Sequence, residues 1–153
     1  MRSVERRVLP SGRAHADHRR ARQVSGAADG APRRALVVDD EPGVLQTTAR
    51  ILRRLGFAVT CAATGAEGIA VVTAEGAALA LVVTDLAMPD LDGLAVSRAI
   101  HALWPALPII LVTGYGETPR ADGVFAASLS KPFTVEELGA LVRELIPGVR
   151  ERG

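Results

Sequence analysis

Three carboxylates stand where short apolar runs end. Asp39 and Asp40 follow Ala35-Leu36-Val37-Val38, and Asp85 follows Leu79-Ala80-Leu81-Val82-Val83-Thr84. One aspartate at such a point is commonly the cap of the next helix. Three at one edge repel one another and raise each other's pKa values. A hard divalent cation removes that cost, and Mg²⁺ takes one or two carboxylates with carbonyl, water and phosphate oxygens. Two further polar residues close apolar runs. Thr113 follows Ile109-Ile110-Leu111-Val112, and Lys131 follows Ala127-Ser128-Leu129-Ser130. Lys131 is the only lysine in 153 residues, and arginine supplies the other seventeen basic groups. A compact ammonium beside carboxylates and a cation suits a phosphoryl oxygen. Pro132 comes next, and a Lys-Pro bond can adopt the cis form that fixes the lysine's aim.

These residues need elements that bring them together. The four apolar runs, with Phe57-Ala58-Val59-Thr60-Cys61, read as five short strands. Four are almost continuously apolar, as in a parallel sheet covered on both faces. Ser128 and Ser130 make the fifth the candidate edge strand. Helical periods fill the gaps. Val44, Leu45, Thr48, Ile51, Leu52 and Leu55 share a face after Pro42, with Gly56 as terminator. Thr64-Gly65-Ala66-Glu67 has capping-box spacing and opens a second helix. A third runs from about Gly93 to Leu103, before Pro105. Thr134-Val135-Glu136-Glu137 opens the last, with Val135, Leu138, Leu141, Val142 and Leu145 inward. Gly114, Gly116, Pro119 and Gly123 allow only a short helix near Pro119–Val124. Strands alternating with helices predict a doubly wound α/β fold. Right-handed crossovers put all the strand C-termini, and so all five polar residues, on the edge where such sheets bind ligands.

Charge divides the chain. Residues 1–34 hold nine arginines and three acids, whereas residues 35–153 hold nine basic and fourteen acidic groups. Residues 1–33 have no aromatic and no sustained apolar period, so a disordered basic tail is predicted there. Without base-stacking aromatics it argues against DNA binding. No apolar run reaches the roughly 18 residues of a membrane span, and the Arg-rich N-terminus lacks a 7–15-residue apolar stretch, so no secretory signal and a cytoplasmic setting are expected. Cys61 is alone, which excludes an internal disulfide, and its apolar run suits a buried, inert thiol.

Val37-Val38-Asp39-Asp40-Glu41, Asp85-Leu86-Ala87-Met88-Pro89-Asp90-Leu91-Asp92-Gly93, Val112-Thr113-Gly114 and Leu129-Ser130-Lys131-Pro132-Phe133 resemble the receiver domains of two-component response regulators. The resemblance implies a flavodoxin-like five-stranded parallel sheet of order 2-1-3-4-5, with the receiver over residues 34–148 and a short tail over 149–153. It implies Asp85 as phosphoacceptor for a sensor histidine kinase or a histidine phosphotransfer protein. Mg²⁺ would sit on Asp40, Asp85 and the Ala87 backbone carbonyl, with Asp39 completing the acidic pair. Lys131 and Thr113 would hold phosphoryl oxygens. Met88, Pro89, Asp92, Gly93, Gly114 and Pro132 would shape the site, and the activated surface would act on a downstream protein. No output domain is expected in the chain. It is also similar to the C-terminal receiver of a hybrid histidine kinase.

Other readings remain. An aspartyl-phosphate phosphatase usually carries a second acid two residues after its nucleophile, and Ala87 stands there. A receiver-like interaction module that ignores phosphate would not require Asp85, Thr113 and Lys131. Where many receivers carry Tyr or Phe three residues before the lysine, this chain has Ser128, which cannot swing a ring. The Thr113–Lys131 interval is short for the family by about one helical turn. Ala87 offers no polar side chain to place a water, and Tyr115 can shield the phosphoryl group. A long-lived phosphoprotein is therefore predicted, and Ala87→Asn should shorten its half-life in a decay assay.

Overall fold

The computed structural model describes residues 31–114 and 123–150 and the backbone of residues 4–6. After β1 (Val4–Arg6), the chain alternates β2 (Arg34–Val38), α1 (Pro42–Arg54), β3 (Ala58–Ala62), α2 (Gly65–Glu75), β4 (Leu79–Asp85), α3 (Gly93–Leu103), β5 (Ile109–Thr113), β6 (Ala127–Ser130) and α4 (Val135–Leu145). The sheet order is β1-β6-β5-β4-β2-β3. Strands β2 to β6 pair in parallel, which is the expected 2-1-3-4-5 order when counted from β2.

The two-residue period of a strand sorts the core into two layers. Ala35, Val37, Leu81, Val83, Ile110, Val112, Ala127 and Leu129 face one side, against Leu45, Ile51 and Leu52 of α1 and Leu138, Leu141 and Val142 of α4. Leu36, Val38, Val82, Ile109 and Leu111 face the other, against Val72 of α2 and Val96 and Ile100 of α3. Truncating the fully buried Leu52 or Ile100 to alanine should cost about 2–5 kcal/mol. Such strands are apolar on both faces, so only their ends are available to carboxylates.

Most helix termini follow the sequence signals. Gly56, at φ 96°, follows α1. Thr134 and Glu137 form the full reciprocal capping box of α4. At α2 only half of that box forms. Thr64 accepts from the Glu67 amide, but the Glu67 carboxylate takes the Ala63 amide instead of that of Thr64. Val135 is a correction: it lies in the first turn of α4 and is 39% exposed rather than inward. Cys61 is half-buried, packed against the α1/α4 side of the core. No helix among the described residues is long and apolar enough to cross a membrane.

The tail departs from expectation at three residues. Val4–Arg6 is a strand, antiparallel to β6, with Val4 opposite Leu129, Glu5 opposite Ser128 and Arg6 opposite Ala127. β6 is therefore not the sheet's edge. An edge strand leaves a row of backbone donors and acceptors unpaired, and any extended segment can satisfy them whatever its side chains. That is why a segment without an apolar period can still pair. Residues 7–30 lie outside the described residues, as do Tyr115 and most of the short helix expected near Pro119–Val124. Replacing Glu5 and Arg6 together by proline removes a donor on each side of the β1 pleat. Amide hydrogen exchange in Ala127–Leu129 should then rise while that of β2 and β4 stays unchanged.

Candidate phosphoacceptor and metal site

Each strand delivers its polar residue to one edge of the sheet. Asp39 directly follows β2, Asp85 closes β4, Thr113 closes β5 and Lys131 follows β6. The Asp39 amide bonds the Ala62 carbonyl (3.1 Å), which extends the β2/β3 ladder by one residue and fixes the acid's place. The Asp39 side chain accepts from the Glu41 amide (2.9 Å) as α1 begins. Asp39, Asp85 and Thr113 are buried, and Asp40 is half-buried.

One oxygen from each of Asp39, Asp40 and Asp85 lies within 4.8 Å of the others. Lys131 Nζ stands 3.2 Å from Asp85 Oδ1, 3.5 Å from Asp39 Oδ2 and 3.7 Å from Glu41 Oε1. The Lys131 amide also donates to the Thr113 carbonyl (2.7 Å), tying the ends of β5 and β6. The Lys131–Pro132 bond is cis. Burial, then the neighbouring Asp39 charge, pushes the Asp85 carboxyl up to about 6, against the pull of Lys131. Burial also raises Asp39, against the Glu41 amide and Lys131. Burial alone would lower the Lys131 ammonium, but Asp39 and Asp85 outweigh it and hold it above its usual value. One ammonium cannot neutralise three clustered carboxylates. An all-oxygen set with this excess of negative charge fits a hard divalent cation.

The loop after Asp85 is pinned at several points. The Gly93 amide bonds the Leu86 carbonyl (2.7 Å), and Asp92 caps α3 by accepting from the Ala95 amide (2.7 Å). A Cβ on Gly93 would collide with the Asp85 carbonyl oxygen, so only glycine lets the loop close there. Met88 is buried in the α2/α3 core and works as an anchor, whereas Ala87 and Pro89 are exposed on the loop. Pro132 is exposed and Gly114 half-buried at the same edge.

A match to the response regulator receiver domain covers residues 35–143. The chain belongs to that family. Among its relatives is the C4-dicarboxylate transport transcriptional regulatory protein DctD of Rhizobium meliloti, 37% identical over 107 residues. The match takes in 67% of this chain and 23% of that relative, so the chain spans about a quarter of its length. A receiver domain from Clostridium thermocellum superposes with a TM-score of 0.69 at 31% identity, covering 74% of this chain and 93% of the other. The response regulator TrrA from Thermotoga maritima, solved in complex with Mg²⁺–BeF, gives 0.68 at 28%, covering 74% and 99%.

Two receiver residues escaped the sequence reading of the site. Glu41 lies at the N-cap position of α1, has no side-chain cap bond, and turns to Lys131. Its only signal is adjacency to the acidic pair. Asp90 bonds the amides of Gly65 and Ala66, 25 and 24 residues away, and no spacing rule announces that.

The raised Asp85 pKa has a sign. Its folded value of about 6 exceeds the ordinary 3.8, so the native state binds the proton more tightly. The stability this confers is full below about pH 4 and is lost as pH rises through about 6. In EDTA, Asp85→Asn should stabilise the protein at pH 8 by on the order of 2 kcal/mol, and not at pH 4. Denaturant unfolding at both pH values reads the difference.

Proposed function

We propose that this receiver is a phosphorylation switch in which Asp85 takes a phosphoryl group from a phosphohistidine. The donor is a sensor histidine kinase or a histidine phosphotransfer protein in the cytoplasm. The observation that carries the reading is the buried Asp85 carboxylate facing Lys131 Nζ at 3.2 Å inside the acidic cluster. Residues 34–148 form the switching unit, and Val149 packs into the same core.

Asp40 and Asp85 would hold Mg²⁺ through their side chains and Ala87 through its backbone carbonyl, with Asp39 completing the acidic pair. When bound, the ion supplies positive charge against the phosphoryl oxygens. An Asp85 carboxylate oxygen forms the bond to phosphorus as the bond from phosphorus to the imidazole nitrogen breaks, and the electron pair stays on that nitrogen. Lys131 passes from its carboxylate partners to a phosphoryl oxygen, as a charge already in place. The Thr113 hydroxyl donates to another oxygen, and small Gly114 beside it leaves the donor histidine room to approach. In-line transfer of this kind needs positioning and charge neutralisation, which these groups supply. The phosphorylated surface then engages a downstream protein.

Incubation with Mg²⁺ and acetyl phosphate, followed by intact mass measurement, tests the assignment. A single phosphoryl adduct is expected, absent from Asp85→Asn and from EDTA-treated protein. A folded wild-type protein that gains no adduct would instead favour a phosphorylation-independent interaction module. Lys131→Ala should keep Mg²⁺ binding but slow adduct formation by about 10²-fold or more, the scale of losing one preorganised charge contact.

A further inference from the structure

The first three amides of α2 (Gly65–Glu75) have no helical partner, as at any helix start. Thr64, the local cap, reaches only one of them, the Glu67 amide at 3.1 Å. The other two are satisfied from a distant part of the chain. Asp90 Oδ1 accepts from Gly65 (3.1 Å) and Asp90 Oδ2 from Ala66 (3.0 Å). These amides, Ala66 before Gly65, stabilise the ionised form and hold the exposed Asp90 carboxyl below its ordinary range. The helix end is brought close to receive them. A Cβ on Gly65 would stand 2.9 Å from Leu91 Cβ and 2.8 Å from Val96 Cγ2.

Asp90 lies on the loop that follows Asp85. The loop's other anchors are the Leu86 amide on the Val112 carbonyl of β5 (2.8 Å), Gly93 on Leu86, Asp92 on Ala95, and Met88 in the core. Among the described residues, the hydrogen bonds from this loop to α2 come from Asp90 alone. Ala87, whose carbonyl is assigned to the cation, is exposed on the same loop. A ligand atom on a mobile loop must be ordered when the ion binds, and a pre-placed one need not be.

We propose that Asp90 is a positioning residue that straps the Asp85–Gly93 loop to the N-terminus of α2 and so sets the Ala87 carbonyl for the cation. The proposal rests on the phosphoacceptor reading of Asp85. It differs from a simple helix cap in its consequence. A cap changes the stability of α2, whereas a strap also changes what happens at the cation site.

Full-length wild type, Asp90→Ala, Asp90→Asn and Thr64→Ala are compared. Thr64→Ala removes the local cap of the same helix without touching the loop. Three quantities are read: the Mg²⁺ dissociation constant by ¹⁵N NMR titration, the rate of adduct formation with acetyl phosphate at saturating Mg²⁺, and Tm in EDTA. Asp90→Ala should weaken Mg²⁺ binding by about tenfold, the scale of losing a group that orients a metal ligand. Asp90→Asn, which keeps one acceptor oxygen, should recover part of the loss. Thr64→Ala should lower Tm and leave Mg²⁺ affinity at the wild-type value. Wild-type Mg²⁺ affinity in Asp90→Ala, with only Tm reduced, would overturn the strap and leave Asp90 a helix cap. Equal weakening by Thr64→Ala would overturn it too, because helix stability would then explain the effect. Failure of the wild type itself to bind Mg²⁺ or to gain a phosphoryl group would remove the Asp85 reading and the strap with it. Normal wild-type behaviour with an unaffected Asp90→Ala removes the strap alone.

Discussion

Clustering three carboxylates at one edge of a sheet, two of them buried, is the constraint on which the rest of the structure depends. Asp39 and Asp85 are each 4% exposed, and each is pushed toward its neutral form by that burial. An unpaired buried charge is too costly to persist, so something of opposite sign must be held nearby. Lys131 fills that place in part, between Asp85 and Asp39, just past a strand that is paired with neither acid's strand. The cluster therefore cannot assemble until β2, β4 and β6 are in register. The same incomplete neutralisation fits the cluster for a hard divalent cation.

The fold answers this constraint with ordinary means. Parallel strands covered on both faces have no room for polar groups along their length, so chemistry collects at their C-terminal ends. Helices α1 and α4 on one side and α2 and α3 on the other hold the strands in place. Residues 86–92 of the loop after Asp85 belong to no strand or helix. The loop's order comes from side chains, from the backbone bonds of the Leu86 amide to Val112 and the Gly93 amide to Leu86, and from a glycine that tolerates contact with the Asp85 carbonyl.

Much of this is legible in the residues. The short runs locate β2 to β6 within a residue or two, since in β2, β4 and β5 nearly continuous Val, Leu and Ile between turn residues leave little alternative. The acids at strand ends locate the site, because packing does not call for them. What was not legible depends on contacts between segments far apart in sequence. Val4–Arg6 pairs through backbone atoms, which carry no sequence signature. Asp90 reaches amides 24 and 25 residues away, and Glu41 reaches Lys131 across 90 positions. The Thr64 box forms only half because Glu67 finds the Ala63 amide instead, a choice among neighbouring donors that spacing does not resolve.

The central claim is that Asp85 is a buried carboxylate whose charge is incompletely balanced until a cation arrives. Carboxyl ¹³C NMR of Asp85, titrated in EDTA and again in saturating Mg²⁺, tests it most directly. The expected result is an apparent pKa of about 6 without metal, falling well below that value once Mg²⁺ is present. An ordinary value near 3.8 in EDTA, unchanged by Mg²⁺, would contradict it.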